Sequence, residues 1–324
     1  MKLSLLDFGY VPPAAKPSRV LRDLVASAPI AEKLGFYRFW LAEHHEAHFS
    51  YSCPELLIPQ IAASTSSIRV GTAGVLMHFH SPLKIAETFR MLEALYPGRV
   101  DLGVASGLSG SDQIRHALRH GFDLAQAVRT RLYTSQVEEL LGWCRNTIEG
   151  HQATPRGQAS PPVLLMGGGR GIGNMTMAAR HGTAFCYSIS HGSSETGPEI
   201  VARYRAEFQP SAELPTPQTA IAGTLICAET NSEALGVQNY FLALDKGLKA
   251  AVIGRPERCR AVIQELLDRY GCDEFIAMPM ATNQDEKLRS YRLLSETCQL
   301  TCPTGTTPHP PADTDGKPGA RNTV

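Results

Sequence analysis

Short apolar runs rich in β-branched and aromatic residues alternate with stretches of helical periodicity along most of the 324-residue chain. This alternation restricts the fold more than any other feature. A strand, a helix and a second parallel strand make a right-handed crossover unit, and a series of such units builds a parallel sheet covered by helices. Residues 3–8, 37–42, 68–77 and 99–104 read as strands. Between them the spacing predicts helices over 18–34, 54–66 and 82–96, with Ser18 as the first N-cap and stops at Gly35 and at Pro97-Gly98.

The pattern pauses and then resumes. Residues 114–143 read as helical, and 145–161, polar with Gly and Pro, as an insertion loop. Strands follow at 163–166, 183–189, 219–227 and 274–278, with helices at 171–181, 199–208, 232–244, 256–270 and 285–298. Eight strands suit a closed barrel better than an open doubly wound sheet. The expected fold class is α/β, a (β/α)8 TIM barrel with insertions over residues 1–300, a size ordinary for that fold. Residues 301–324 are rich in Thr, Pro and Gly with few large apolar groups, so a disordered tail is expected there.

Lys plus Arg equals Asp plus Glu, giving a formal net charge of zero. No basic footprint points to nucleic acid, and no polybasic run points to a membrane surface. No uncharged apolar stretch approaches the roughly 20 residues of a membrane helix, and Asp7 interrupts the N-terminal apolar run. The eight cysteines are scattered without C-x-x-C spacing, which reads as free thiols in a reducing compartment rather than a zinc site. The expectation is a cytoplasmic protein acting on small molecules.

Active sites of such barrels lie at the C-terminal ends of the strands, and four ends carry chemistry. The second strand runs into Glu43-His44-His45, with Glu46 and His48 behind; a rim histidine serves as a general base or simply hydrogen-bonds a neighbour. In the third, Ala73 and Gly74 either let a flat ligand approach the backbone or ease strand packing. The fourth ends at Ser106-Gly107, a phosphate contact or a surface loop. The fifth runs into Gly167-Gly168-Gly169-Arg170-Gly171 and opens a helix. Amides at a helix N-terminus, glycines that permit close approach and an arginine make an anion site. The dinucleotide fingerprint G-x-G-x-x-G is absent.

Taken together, Trp40-Leu41-Ala42-Glu43-His44-His45, Ile68-Arg69-Val70-Gly71-Thr72-Ala73-Gly74-Val75, Ser81-Pro82-Leu83-Lys84-Ile85-Ala86-Glu87 and the run from Leu92 to Gly103 resemble the bacterial luciferase-like flavin-dependent monooxygenases. The resemblance covers residues 1 to about 300. It implies a barrel that binds reduced FMN, or in one branch the deazaflavin F420, and oxidises a small organic molecule with O2 through a flavin 4a-hydroperoxide. It implies a separate flavin reductase, and a homodimer or a heterodimer with a related subunit, paired through 54–66 and 82–96. By resemblance His44 is catalytic, Glu43 holds its neighbourhood, and Ala73 and Gly74 lie under the flavin ring at a site where the family often has a cis peptide. The loop with Gly167, Gly168, Gly169, Arg170 and Gly171 takes the phosphate.

The sequence departs from the family where many members carry an arginine after the fourth strand; Ser106 stands there, and Arg170 is the candidate replacement for its charge. That departure motivates a second reading, a non-catalytic homologue that partners an active subunit or holds flavin. A third, a metal-dependent hydrolase, rests on His78-x-His80. Against it, the last strand ends Met278-Pro279-Met280 without an Asp ligand, so no metal is expected.

Overall fold

The computed structural model describes residues 1–119, 126–168, 172–190 and 195–301. The core is a nine-stranded parallel sheet. Its strands are β1 (Lys2–Asp7), β2 (Arg38–Leu41), β3 (Arg69–Leu76), β4 (Val100–Ala105), β5 (Val163–Gly168), β6 (Ala184–Ser188), β7 (Thr219–Cys227), β8 (Val252–Gly254) and β9 (Glu274–Pro279). Eight of them close a barrel, because β9 pairs with both β7 and β1. β8 stands outside the ring and pairs with β7 alone, along Leu225–Cys227. Sequence reading missed it, since three residues show no periodicity.

Helices cover the outside: α1 (Pro17–Lys33), α2 (Ile58–Ala63), α3 (Pro82–Leu95), α4 (Asp112–Leu118), α5 (Gln126–Arg145), α6 (Ile172–His181), α7 (Gly197–Glu207), α8 (Asn231–Leu244), α9 (Pro256–Tyr270) and α10 (Gln284–Cys298). Several boundaries differ from expectation for local reasons. Pro17 occupies the first turn of α1, so Lys16 rather than Ser18 is the N-cap; proline is pre-set for that position. The expected helix over 54–66 divides into a 3-10 turn, Pro54–Leu56, and α2, with Pro59 in the first turn of α2. The expected helix over 114–143 is two helices, α4 and α5. β5 extends through Gly167 and Gly168, which pair with Tyr187 and Ser188. The expected tail lies outside the described residues beyond Thr301.

Alternation along each strand sends side chains to two cores. The outward set, including Leu5, Phe39, Val70, Leu102, Leu165 and Phe275, packs with the helices in one large cluster. The inward set, including Leu6, Trp40, Leu164, Cys186 and Ile276, fills the barrel. At the N-terminal strand ends the barrel is plugged by charge. Arg38 Nη1 lies 2.9 Å from Glu274 Oε2, its Nε 3.3 Å from Asp101 Oδ2, and Arg69 Nη2 2.7 Å from Asp101 Oδ1. Ser4 Oγ donates to the second Glu274 oxygen at 2.6 Å. Charges this buried need full pairing, and residues at this face of a barrel serve stability rather than chemistry.

Candidate active site

At the opposite face, Glu43 follows β2 and is 3% exposed. Its Oε2 accepts the Leu76 amide at 2.8 Å. Its Oε1 lies 2.9 Å from His45 Nε2 and 2.8 Å from His80 Nε2. A carboxylate oxygen only accepts, so both rings carry a proton on Nε2. Burial pushes the Glu43 pKa up, but the His80 ring, the Leu76 amide and His45 outweigh it and hold the carboxyl below its ordinary value. Burial likewise opposes a charged His80, yet the Glu43 carboxylate raises its pKa above the ordinary value.

A second carboxylate organises His44. Glu46 Oε2 accepts the Ser109 hydroxyl at 2.6 Å, and Oε1 accepts the Gly110 amide at 2.8 Å. The Ser109 oxygen also accepts the His45 amide at 2.8 Å. These bonds tie the loop after β4 to the loop after β2. Burial pushes Glu46 up, but the Gly110 amide, the Ser109 hydroxyl and His44 bring its pKa down to about 2. His44 Nδ1 stands 3.4 Å from both Glu46 Oε2 and Ser109 Oγ. Its ring packs on one side against both Phe8 and Phe49, at centroid distances of 5.0 and 4.7 Å, and those two rings also touch each other at 6.2 Å. The His44 side chain keeps 28% of its surface exposed. An imidazole with a carboxylate at one nitrogen, packed against two phenyl rings and partly exposed, is equipped for proton transfer.

The remaining expected residues are distributed as follows. Ala73 is buried in the inner cluster with Trp40 and Ala42, and the Ala73–Gly74 peptide is cis. The β3–β4 register shifts at this point, between Thr72 and Val75. A Cβ at Gly74 would come within 2.8 Å of the Val104 carbonyl carbon, so close packing on β4 sets the glycine's identity. Ser106 is exposed just past the end of β4. Gly167 and Gly168 are the last residues of β5. Gly169, Arg170 and Gly171 lie outside the described residues. Asn174, in the first turn of α6, donates to the Met166 carbonyl and fastens the helix start to the strand end.

The sequence singled out His44 and Glu43 but assigned no roles to Glu46, Ser109 and His45. It had read His80 only as half of a metal pair. In the structure that pair is divided. His78 stacks near Tyr133 at 5.1 Å while His80 turns to Glu43. Among the described residues, no group of three or more His, Cys, Asp or Glu side chains is arranged to hold a metal. No described helix is long and apolar enough to cross a membrane.

A closed parallel barrel with an acid–base cluster at its C-terminal rim has the layout of a (β/α)8 enzyme. The luciferase-like monooxygenase family model matches residues 1–245, and the chain belongs to that family. It is 29% identical to the N-acetyl-S-alkylcysteine monooxygenase of Bacillus subtilis, over 83% of this chain and 81% of the relative. The crystal structure of apo-MsnO8 superposes with a TM-score of 0.83 at 30% identity, covering 93% of this chain and 99% of that one. The FMN complex of the oxygenating constituent of 3,6-diketocamphane monooxygenase, from a Pseudomonas putida plasmid, shares the fold at a TM-score of 0.70 and 18% identity, over 92% and 97% of the two chains.

Proposed function

We propose that the barrel mouth binds reduced FMN and, with dioxygen, oxidises a small organic molecule, with His44 as the acid–base residue. The observation that carries this reading is His44 itself, its Nδ1 beside the Glu46 carboxylate and its ring exposed at the rim. The residues present suit a flavin. Ala42 and Ala73 share the inner apolar cluster with Trp40 and Met278, against which Phe8 and Met166 pack, an apolar bed for a planar ring. The Ala73–Gly74 peptide and Glu43 would border the ring. Ser106, Gly167, Gly168, Gly169 and Gly171 would meet the phosphate, with Arg170 supplying the positive charge.

Bound reduced flavin supplies the electrons and the activated oxygen. The chain's own residues do the rest. Glu46 and Ser109 fix the His44 ring, so that it can give or take a proton at the reacting centre. Glu43 pins Leu76, His45 and His80 together, which sets the shape of the mouth. A separate reductase would deliver the flavin. The chain would act as a homodimer or with a related subunit through the 3-10 turn Pro54–Leu56, α2 and α3, where Leu56, Met91 and Leu95 are 65%, 54% and 64% exposed; light scattering reads that state directly.

The test is an anaerobic titration with reduced FMN, and in parallel with reduced F420, followed by rapid mixing with oxygen. The expected result is saturable FMN binding, then a transient absorbance that differs from oxidised flavin and whose decay changes in His44→Ala. Failure to bind either cofactor in either redox state overturns the proposal. Ser106, in place of an arginine, motivates the alternative of a non-catalytic partner subunit; flavin binding without turnover by the purified chain would favour it.

A further inference from the structure

At the edge where β8 leaves the ring, the fold brings two cysteines together. Cys227 is the last residue of β7 and pairs in register with Gly254 of β8. Cys259 lies near the start of α9. Its Sγ stands 3.4 Å from the Gly254 carbonyl oxygen and 3.6 Å from that of Ile226, the residue before Cys227. Both cysteines belong to the outer core cluster, so they meet on the helix-covered face of the sheet. The two thiols hydrogen-bond to each other, and neither is in a disulfide.

A free cysteine can be simple core filling, since it packs as a small apolar residue. Three features set this pair apart. The first is the contact itself, since a disulfide needs two sulfurs that can meet. The hydrogen bond from Cys227 also holds the Cys259 thiol below its ordinary pKa, and the thiolate is the form that reacts.

The second feature is how lightly this edge is fastened. The β7–β8 ladder runs over three residues, Leu225–Cys227. Arg255 caps α9 without a side-chain hydrogen bond. Short edge elements of this kind open locally at low cost. The third feature is access. Cys227 forms part of the wall of a cavity of about 380 Å³ between α8 and α10, ample for water or a molecule of its size.

We propose that Cys227 and Cys259 form a modification site for hydrogen peroxide, a thiol pair that closes to a disulfide. The Cys259 sulfur attacks one peroxide oxygen as thiolate. An S–O bond forms, the O–O bond breaks, and the departing hydroxide takes up the proton the thiol has released. The Cys227 sulfur then attacks the Cys259 sulfur. The S–S bond forms, the S–O bond breaks, and the second hydroxide leaves as water with the Cys227 proton. The pair is oxidised by two electrons and one peroxide is reduced to two waters. The closed form ties the end of β7 to α9 covalently, where a three-residue strand otherwise makes the link. The site does not depend on flavin binding.

The test treats the full chain, reduced and freed of reductant, with hydrogen peroxide and no flavin. Remaining thiols are alkylated, the protein is digested without reductant, and the peptides are weighed. The peptides carrying Cys227 and Cys259 should be joined with the loss of two hydrogens, and dithiothreitol should part them. Cys298→Ser, which removes the partly buried thiol of α10, should keep the link, and Cys259→Ala should lose it. The wild-type peptide map decides the matter even if Cys259→Ala fails to fold. Cys227 and Cys259 both alkylated at a peroxide dose that oxidises the exposed Cys53 would overturn the proposal. So would a link from either one to another cysteine, or a link that forms only in urea.

Discussion

The Glu43 carboxylate meets the His80 ring at 2.8 Å, across 37 residues of sequence and two strand ends. The same oxygen holds His45 at 2.9 Å. One buried acid thus fastens the loop after β2 to the 3-10 turn after β3, and the two partners stabilise each other's charged forms.

The first expectation concerns pH. His80 in the folded protein keeps its proton above its ordinary value of 6.5. Its share of stability is therefore complete below about 6.5 and lost as pH rises through the raised folded value. Glu43 runs the other way. Its share is present above 4.5 and lost as pH falls through its lowered folded value. An NMR titration of the His80 ring should show a midpoint above 6.5, and Glu43→Gln should bring it down. An unchanged midpoint in that variant would contradict the pairing.

Glu43→Ala should also cost about 1–3 kcal/mol in urea unfolding, because the Leu76 amide and two imidazole N–H groups lose their acceptor in a buried setting. Glu43→Gln, which keeps an acceptor oxygen, should cost less.

His44→Ala should lower turnover by about 10²–10⁴-fold, the range for loss of a positioned acid–base group. FMN affinity and thermal stability should change little. A variant with wild-type turnover removes His44 from the chemistry.

Ser106→Arg should tighten FMN about tenfold, since a guanidinium at this exposed strand end adds a charge-assisted contact to the phosphate. Fluorescence titration measures it, and riboflavin, which lacks the phosphate, should show no gain. Arg170→Ala should weaken FMN by a similar factor. Equal effects on FMN and riboflavin would place the phosphate elsewhere.

Glu46, with its pKa near 2, should hold the loop after β4 well into acid. Its contribution is present above 4.5 and disappears as pH falls through about 2. The Gly110 amide resonance should stay at its neutral-pH position down to about pH 3 and shift at neutral pH in Glu46→Ala. A shift centred near 4.5 would mean the tie is absent in solution.

Much of the architecture was readable because each strand and helix carries its own local pattern. The rim residues Glu43 and His44 were readable because polar groups directly after an apolar strand stand out. What escaped was whatever depends on register. Glu46 looks like one more charged loop residue until β2 and β4 bring it to Ser109. His80 looks like the mate of His78 until the 3-10 turn Met77–Phe79 sends them to different neighbours. Gly74 on its own segment reads first as a packing device and second as a ligand contact, and the distance to Val104 supplies the packing reason for the glycine. β8 is too short to announce itself, and exists because the end of β7 offers it an unpaired edge.

β1 finds its last neighbour in β9, where Ser4 and Glu274 touch across 270 residues. On the ribosome, the first strand must therefore wait for nearly the whole chain to emerge before its second edge is covered. Contacts of such long span make folding slow, and an open apolar edge invites association between nascent chains. A chaperone that shields β1 until β9 has emerged should raise the yield of native protein more than any change at the candidate active-site rim.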